Sequence, residues 1–152
     1  MQLLHQVAGR AGRAEAPVRE LLQTFSPEHP VMQALVSGDL ARFMACEAAQ
    51  RRPGQWPPYG RLAALIVSAD SPAAADRLAR DLGQTAPHGD GVAVLGPAPA
   101  PFAILRGRHR RRLLLKTRRD IAVQPILRDW LAKVPLSRGG RIEVDVDPVS
   151  FL

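Results

Sequence analysis

Between Gly91 and Arg119 the chain reads GVAVLGPAPAPFAILRGRHRRRLLLKTRR. Arg106, Arg108, Arg110, Arg111, Arg112, Lys116, Arg118 and Arg119 fall there, and no Asp or Glu does. Eight of the 21 basic residues thus sit in one stretch, and the other 13 meet 14 acidic residues elsewhere, so the whole formal excess of +7 is local. Such a block is the electrostatic footprint of a polyanion-binding surface, with nucleic acid the first candidate. Val92, Val94 and Leu95 read as a strand, Pro97, Pro99 and Pro101 stiffen a connection, and Leu113, Leu114 and Leu115 begin a second strand. Arginines at the base of a strand pair are held in place, as they would not be in a tail. The bland alternative is a solvated charged hairpin that only aids solubility.

The 152 residues suit one domain, or one domain with an appendage. Apolar residues make up 46%, and with few aromatics among them the core must be mainly Ala, Leu and Val. Cys46 is the one cysteine, which excludes an internal disulfide and a cysteine cluster for zinc. A single thiol, no signal peptide and no apolar run near 18 residues lead us to expect a cytoplasmic chain with no membrane partner. His5, His29, His88 and His109 show no ligand spacing, so no metal site is expected.

Along the chain, Val18 to Phe25 reads as a strand and SPEHP as a turn. A short helix VMQALVS ends at Gly38, and Asp39 caps a second from Leu40 to Arg52, with Leu40, Phe43, Met44 and Glu47 at helical spacing. RRPGQWPPYG is a linker, in which Trp56 and Tyr59 are expected to pack down onto the domain. From Arg61 the pattern becomes regular. LAALIVSA is a strand. Ser71 and Pro72 open a helix with Ala75, Leu78, Ala79 and Leu82 on one face. Strands follow at 92–95 and 111–117. Asp120 can cap a helix whose apolar face is Val123, Leu127, Trp130, Leu131 and Val134, with Pro125 disturbing its first turns. Last, RIEVDVD alternates, with Ile142, Val144 and Val146 inward and Glu143, Asp145 and Asp147 outward on a solvated face. The order β-α-β-β-α-β predicts an α+β fold, a ferredoxin-like sandwich with both helices on one face of an antiparallel sheet.

The sharpest short motif is at the start. Gln6, Gly9, Arg10, Gly12 and Arg13 spell QxxGRxGR. Two glycines let backbone approach a ligand closely, and two arginines three apart offer planar forks to phosphate oxygens. The pattern resembles motif VI of superfamily-two helicases, whose arginines reach the terminal phosphates of the bound nucleotide from the second motor lobe. No GxxxxGK[ST] loop and no Asp-Glu box for magnesium accompany it.

Further stretches narrow the resemblance. PEHPVMQAL, the helix from Asp39 to Glu47, WPPYGRLA, VLGPAPAPFAILRGRHRRRLLLK and VDVDPVSFL resemble, in this order, the C-terminal part of the primosomal protein N′ (PriA) family of replication-restart helicases. The resemblance covers essentially the whole chain. It implies a region of an ATP-driven 3′-to-5′ DNA helicase that binds forked or single-stranded DNA, single-strand-binding protein and other primosome proteins. It also implies three parts: residues 1–37 as a remnant of the second motor lobe, 38–60 as a linker helix and Pro-rich linker, and 61–152 as the ferredoxin-like domain. ATP and magnesium would belong to the intact helicase. Zinc would require upstream cysteines that this sequence lacks. Met1 falls where the family has a residue inside the motor lobe, so the chain reads as a fragment or truncated product, inactive as a motor alone.

On this reading the DNA-binding residues are Arg106, Arg108, His109, Arg110, Arg111, Arg112 and Lys116. Arg10 and Arg13 serve as arginine fingers of the intact enzyme. Arg118, Arg119 and Gln124 are the partner-binding residues, for the acidic tail of single-strand-binding protein, with Asp120 an adverse charge among them. Two other classes compete. A free-standing RNA-binding or ribosome-associated module would put aromatics on its sheet, and strands 61–68, 92–95, 111–117 and 141–147 hold none. An interaction domain for acidic peptides would use the arginines without nucleic acid.

Overall fold

The structure is a computed structural model that describes residues 21–136 and 139–148. They fall in two compact units, divided between Gln50 and Arg51.

In the first unit, helix α1 (Pro30–Val36) begins with Pro30 at its first turn, where a missing N–H is harmless. His29 Nδ1 accepts a hydrogen bond from Val31 N at 3.3 Å. The helix stops at Ser37, and Gly38 then takes φ +69°. Asp39 caps helix α2 (Leu40–Arg51) as expected, its Oδ1 accepting from Arg42 N at 2.9 Å. None of α2's residues is buried. The strand expected over 18–25 is absent from its described part. Residues 21–25 are irregular, with Leu21 and Phe25 fully exposed. A strand exists only by pairing its backbone, and no described residue pairs with these.

The second unit holds strands β1 (Gly60–Ala69), β2 (Val92–Leu105), β3 (Arg108–Arg118) and β4 (Arg141–Val146), with helices α3 (Pro72–Gln84) and α4 (Val123–Leu131) between them. The four strands form one sheet in the order β2-β3-β1-β4, every neighbour antiparallel. The fold is α+β. Helix α3 carries the chain from β1 to β2 across β3, and α4 carries it from β3 to β4 across β1.

Alternation along the strands decides which residues meet the helices. Ala63, Leu65 and Val67 of β1 and Leu113 and Leu115 of β3 share one core with Leu78, Ala79 and Leu82 of α3 and Val123, Leu127 and Trp130 of α4. Both helices therefore cover the same sheet face. Trp130 is buried, and its Nε1 donates to Leu82 O at 2.9 Å, so the indole locks α4 to the end of α3 without an orphaned donor. Ser71 caps α3 through a 3.3 Å bond from Ala74 N, with Pro72 at the first turn.

Two expectations are corrected here. The Pro-rich stretch is not a connection. β2 continues through Pro97, Pro99 and Pro101 to Leu105, and its register against β3 slips between Leu95 and Ala98 and again between Pro99 and Ile104. Proline cannot donate to a ladder, and this strand is at the edge of the sheet, where its outer side needs no partner. Asp120 does not cap α4. The helix starts at Val123 with Ala122 in the cap position and no side-chain cap bond, because Asp120 is drawn onto Arg118. Pro125 is tolerated in the first turn, where backbone N–H groups have no helical partner. Ile142, Val144 and Val146 oppose Val67, Leu65 and Ala63 on the helix side, as expected, though on this edge strand Val144 stays 38% exposed.

The second face of the sheet carries a smaller cluster, Leu62, Ala64 and Leu114, packed by Trp56. This is the linker packing expected of Trp56. Gly60 ties the linker to the sheet, because a Cβ there would run into the carbonyl oxygens of Gln55 and Thr117. Among the described residues no helix is long and apolar enough to cross a membrane.

Candidate nucleic-acid interface

Strand β3 sorts the basic run by parity. Arg110, Arg112, Leu114 and Lys116 oppose Ser68, Ile66, Ala64 and Leu62 of β1, on the face away from the helices. His109, Arg111, Leu113 and Leu115 oppose Ala69, Val67, Leu65 and Ala63, on the helix face. Residues two apart on a strand stand about 6.7 Å apart, so Arg110 and Arg112 form a short row that Lys116 extends.

The arginines differ in what they hold. Arg111 Nε donates to Asp76 Oδ1 on α3, and this bond, chiefly, keeps the Asp76 carboxyl below its ordinary pKa. Arg108 is the most committed. It donates to Asp70 Oδ1, to Ser68 Oγ at 3.3 Å, to Ser68 O at 3.2 Å and to Gly139 O. Arg118 bridges Asp120 through Nε at 2.7 Å and Asp90 through Nη1 at 2.8 Å, and it holds the Asp120 carboxyl low. Lys116 Nζ donates to Gly54 O at 2.7 Å and lies 5.0 Å from the Trp56 ring centre, a cation–π contact. Arg119 is exposed and donates to Pro58 O at 3.2 Å. No ion pair to a described residue occupies Arg106 or Arg110.

Of the expected DNA-binding residues, Arg110, Arg112 and Lys116 are brought together on one face. Arg106 stands at the hairpin tip, His109 and Arg111 turn to the helix side, and Arg108 serves the fold. Of the expected partner-binding residues, Arg118 is engaged with two carboxylates. Arg119 lines a shallow depression with Pro57, Pro58, Gly60, Arg61 and Asp147, and Gln124 is exposed in the first turn of α4. Asp147 is held there by Arg61 at 2.9 Å and by Leu62 N at 3.3 Å, and its carboxyl too is kept low, mainly by Arg61. Gln6, Gly9, Arg10, Gly12 and Arg13 lie outside the described residues. No group of three or more His, Cys, Asp or Glu among the described residues could hold a metal.

The sequence reading missed Asp70, Asp76 and Asp90 as partners of the basic run. They lie 28 to 38 positions away, so only the strand register brings them close. It also left Phe102 off the sheet. Phe102 belongs to β2, so that strand does carry an aromatic.

Comparison with known proteins bears directly on this surface. A family model described as the primosomal protein N C-terminal domain matches residues 52–149. The chain belongs to this family. It is 34% identical over 150 residues to the replication restart protein PriA of Rickettsia conorii, 35% over 154 residues to that of Synechocystis sp., and 34% over 134 residues to that of Bacillus subtilis. These matches take in 99%, 99% and 86% of this chain but only 23%, 18% and 16% of the relatives. The chain therefore spans less than a quarter of the length of the proteins it resembles. The primosomal C-terminal domain model takes in the whole sheet and both of its helices.

Proposed function

We propose that this chain acts in replication restart as the C-terminal region of a PriA-type DNA helicase, and that it grips the DNA backbone rather than driving the motor. The observation that carries the DNA contact is the row of Arg110, Arg112 and Lys116 at alternate positions of β3, on the face the helices leave uncovered. A row of cations on a rigid strand offers contacts to successive phosphates without reading bases. Arg106 extends the row at the hairpin tip. Arg108, Arg111 and Arg118 hold local aspartates, so they contribute field more than contact.

Each phosphate contact adds about 0.7 to 0.9 to the slope of log K against log salt, the lower value for single strands. Replacing Arg110 and Arg112 together with Ala should weaken DNA binding and reduce that slope by about 1.4 to 1.8. Binding measured by fluorescence anisotropy from low to moderate salt checks this, and an unchanged slope would overturn the reading. In an intact helicase, Arg10 and Arg13 would meet the nucleotide's terminal phosphates, with ATP and magnesium bound by segments that this sequence does not contain. The chain by itself should show no DNA-stimulated ATPase.

A second contact is favoured by the double bridge from Arg118. It offsets the charge of Asp120, and Arg119 and Gln124, each exposed, are offered to the carboxylate end of an acidic peptide, such as the tail of single-strand-binding protein. Arg119→Glu should abolish binding of such a peptide in a calorimetric titration, and Asp120→Arg should strengthen it.

A further inference from the structure

The end of the β2–β3 hairpin is apolar as well as basic. Phe102 is 67% exposed, Ile104 61% and Leu105 45%. Ile104 and Leu105 are held by pairing with His109 and Arg108, while Phe102 lies in the register break between Pro99 and Ile104, directly after Pro101. Leu105 pairs with Arg108 across a two-residue turn in which Arg106 and Gly107 both take positive φ, 51° and 75°. This is a tight hairpin turn whose twist suits the strands on either side. Arg108, the first residue past the turn, is bound to the end of β1 through Ser68 and Asp70 and to the loop before β4 through Gly139. On the other limb, Pro99 and Pro101 stiffen the approach. The hairpin end is therefore an exposed apolar rim of the sheet, its turn tied to the end of β1 by Arg108.

Its surroundings restrict what it can meet. The sequence from Gly91 to Arg119 holds no carboxylate, Arg106 directly follows Leu105, and Asp70, which meets the residue after the turn, is paired with Arg108. A ligand for this end must offer apolar faces and negative charge within a few ångströms of each other. Nucleic acid does so wherever a base is not covered by its neighbour, at the end of a duplex or where it opens into a single strand. Aromatic and aliphatic side chains stack on or wedge against such bases.

We propose that the hairpin end is a base-contacting wedge, in which Phe102, with Ile104 and Leu105 beside it, packs on the uncovered base at a duplex-to-single-strand junction, while Arg106 takes an adjacent phosphate. The proposal rests on the DNA-backbone reading above and adds a preference for DNA structure to it. The row on β3 confers affinity for any strand, and the hairpin end selects junctions.

The test uses the full chain and a partial duplex with 2-aminopurine as the last paired base. Binding of the unaltered protein should change the 2-aminopurine fluorescence and should favour the junction over a blunt, hairpin-closed duplex of the same length. Phe102→Ala should lower junction affinity roughly ten-fold and abolish the fluorescence change. It should leave the salt slope and the affinity for the closed duplex as they were. Phe102→Trp should restore junction binding. Because Phe102 is largely exposed, the thermal midpoint of each variant should match the parent and so exclude misfolding. Junction affinity and fluorescence unchanged in both Phe102→Ala and Phe102→Ala/Ile104→Ala would overturn the proposal. So would loss of acidic-peptide binding in Phe102→Ala with DNA binding intact, which would make the hairpin end a protein dock. The backbone reading fails separately, through an unchanged salt slope in Arg110→Ala/Arg112→Ala.

Discussion

Asp76 shows how one residue can change the meaning of a charge run. It makes Arg111, which the register already places on the helix side, a brace between β3 and α3. Asp70 and the Asp90–Asp120 pair do the same for Arg108 and Arg118. Asp76, Asp120 and Asp147 all have carboxyls held below their ordinary range by arginine hydrogen bonds. A group whose pKa is lower in the folded state stabilises the fold fully above its unfolded pKa, and that contribution fades as pH falls through the folded value. The urea midpoint should therefore vary little from pH 7 to about 5 on account of these groups and drop below about pH 4. Asp76→Asn should flatten part of that acid-side loss. Denaturation curves across pH 2.5 to 7 check both statements. Asp76→Asn also frees Arg111 without adding a residue to the open face, so DNA affinity at low salt should rise modestly.

The elements divide into those legible from the chain and those that were not. Helix α3 was readable in full, because Ser71, Pro72 and the spacing of Ala75, Leu78, Ala79 and Leu82 are local signals that agree with one another. Strand β1 was readable because it is central and apolar on both faces. The extent of β2 was hidden, since its prolines signal a break unless the strand is known to lie at an edge, and only the sheet order shows that. The start of α4 was misplaced because Asp120 is a good cap in isolation and a better partner for Arg118. The basic row was visible as composition, but its division between two faces needed the β1–β3 register. Stability should follow the same local and long-range split. Ser71→Ala should cost about 1 kcal/mol through the lost cap. Trp130→Phe should cost about 2 kcal/mol, because it removes a buried hydrogen bond to Leu82 O and leaves a void between α3 and α4. Chemical denaturation of each variant measures the difference.

At the scale of the molecule, the sheet has two edge strands with no further partner among the described residues, and they are protected by different means. β4 presents Glu143 and Asp145 near one margin, both exposed, which discourages another strand from lying alongside. β2 carries no Asp or Glu to act in this way. Proline does the task there. Pro99 and Pro101 each remove a backbone donor from a margin that also exposes Leu95, Phe102 and Ile104. Without them that margin would combine bare N–H and C=O groups with apolar side chains, the makings of a template for aggregation. Pro99→Val/Pro101→Val should accordingly leave the monomer folded and DNA-competent when dilute. At higher concentration it should produce light-scattering assemblies that bind thioflavin. The parent chain should stay dispersed under the same conditions. The prolines of this hairpin thus act as solubility gatekeepers, allowing a sticky surface to be displayed at a sheet margin without recruiting copies of itself.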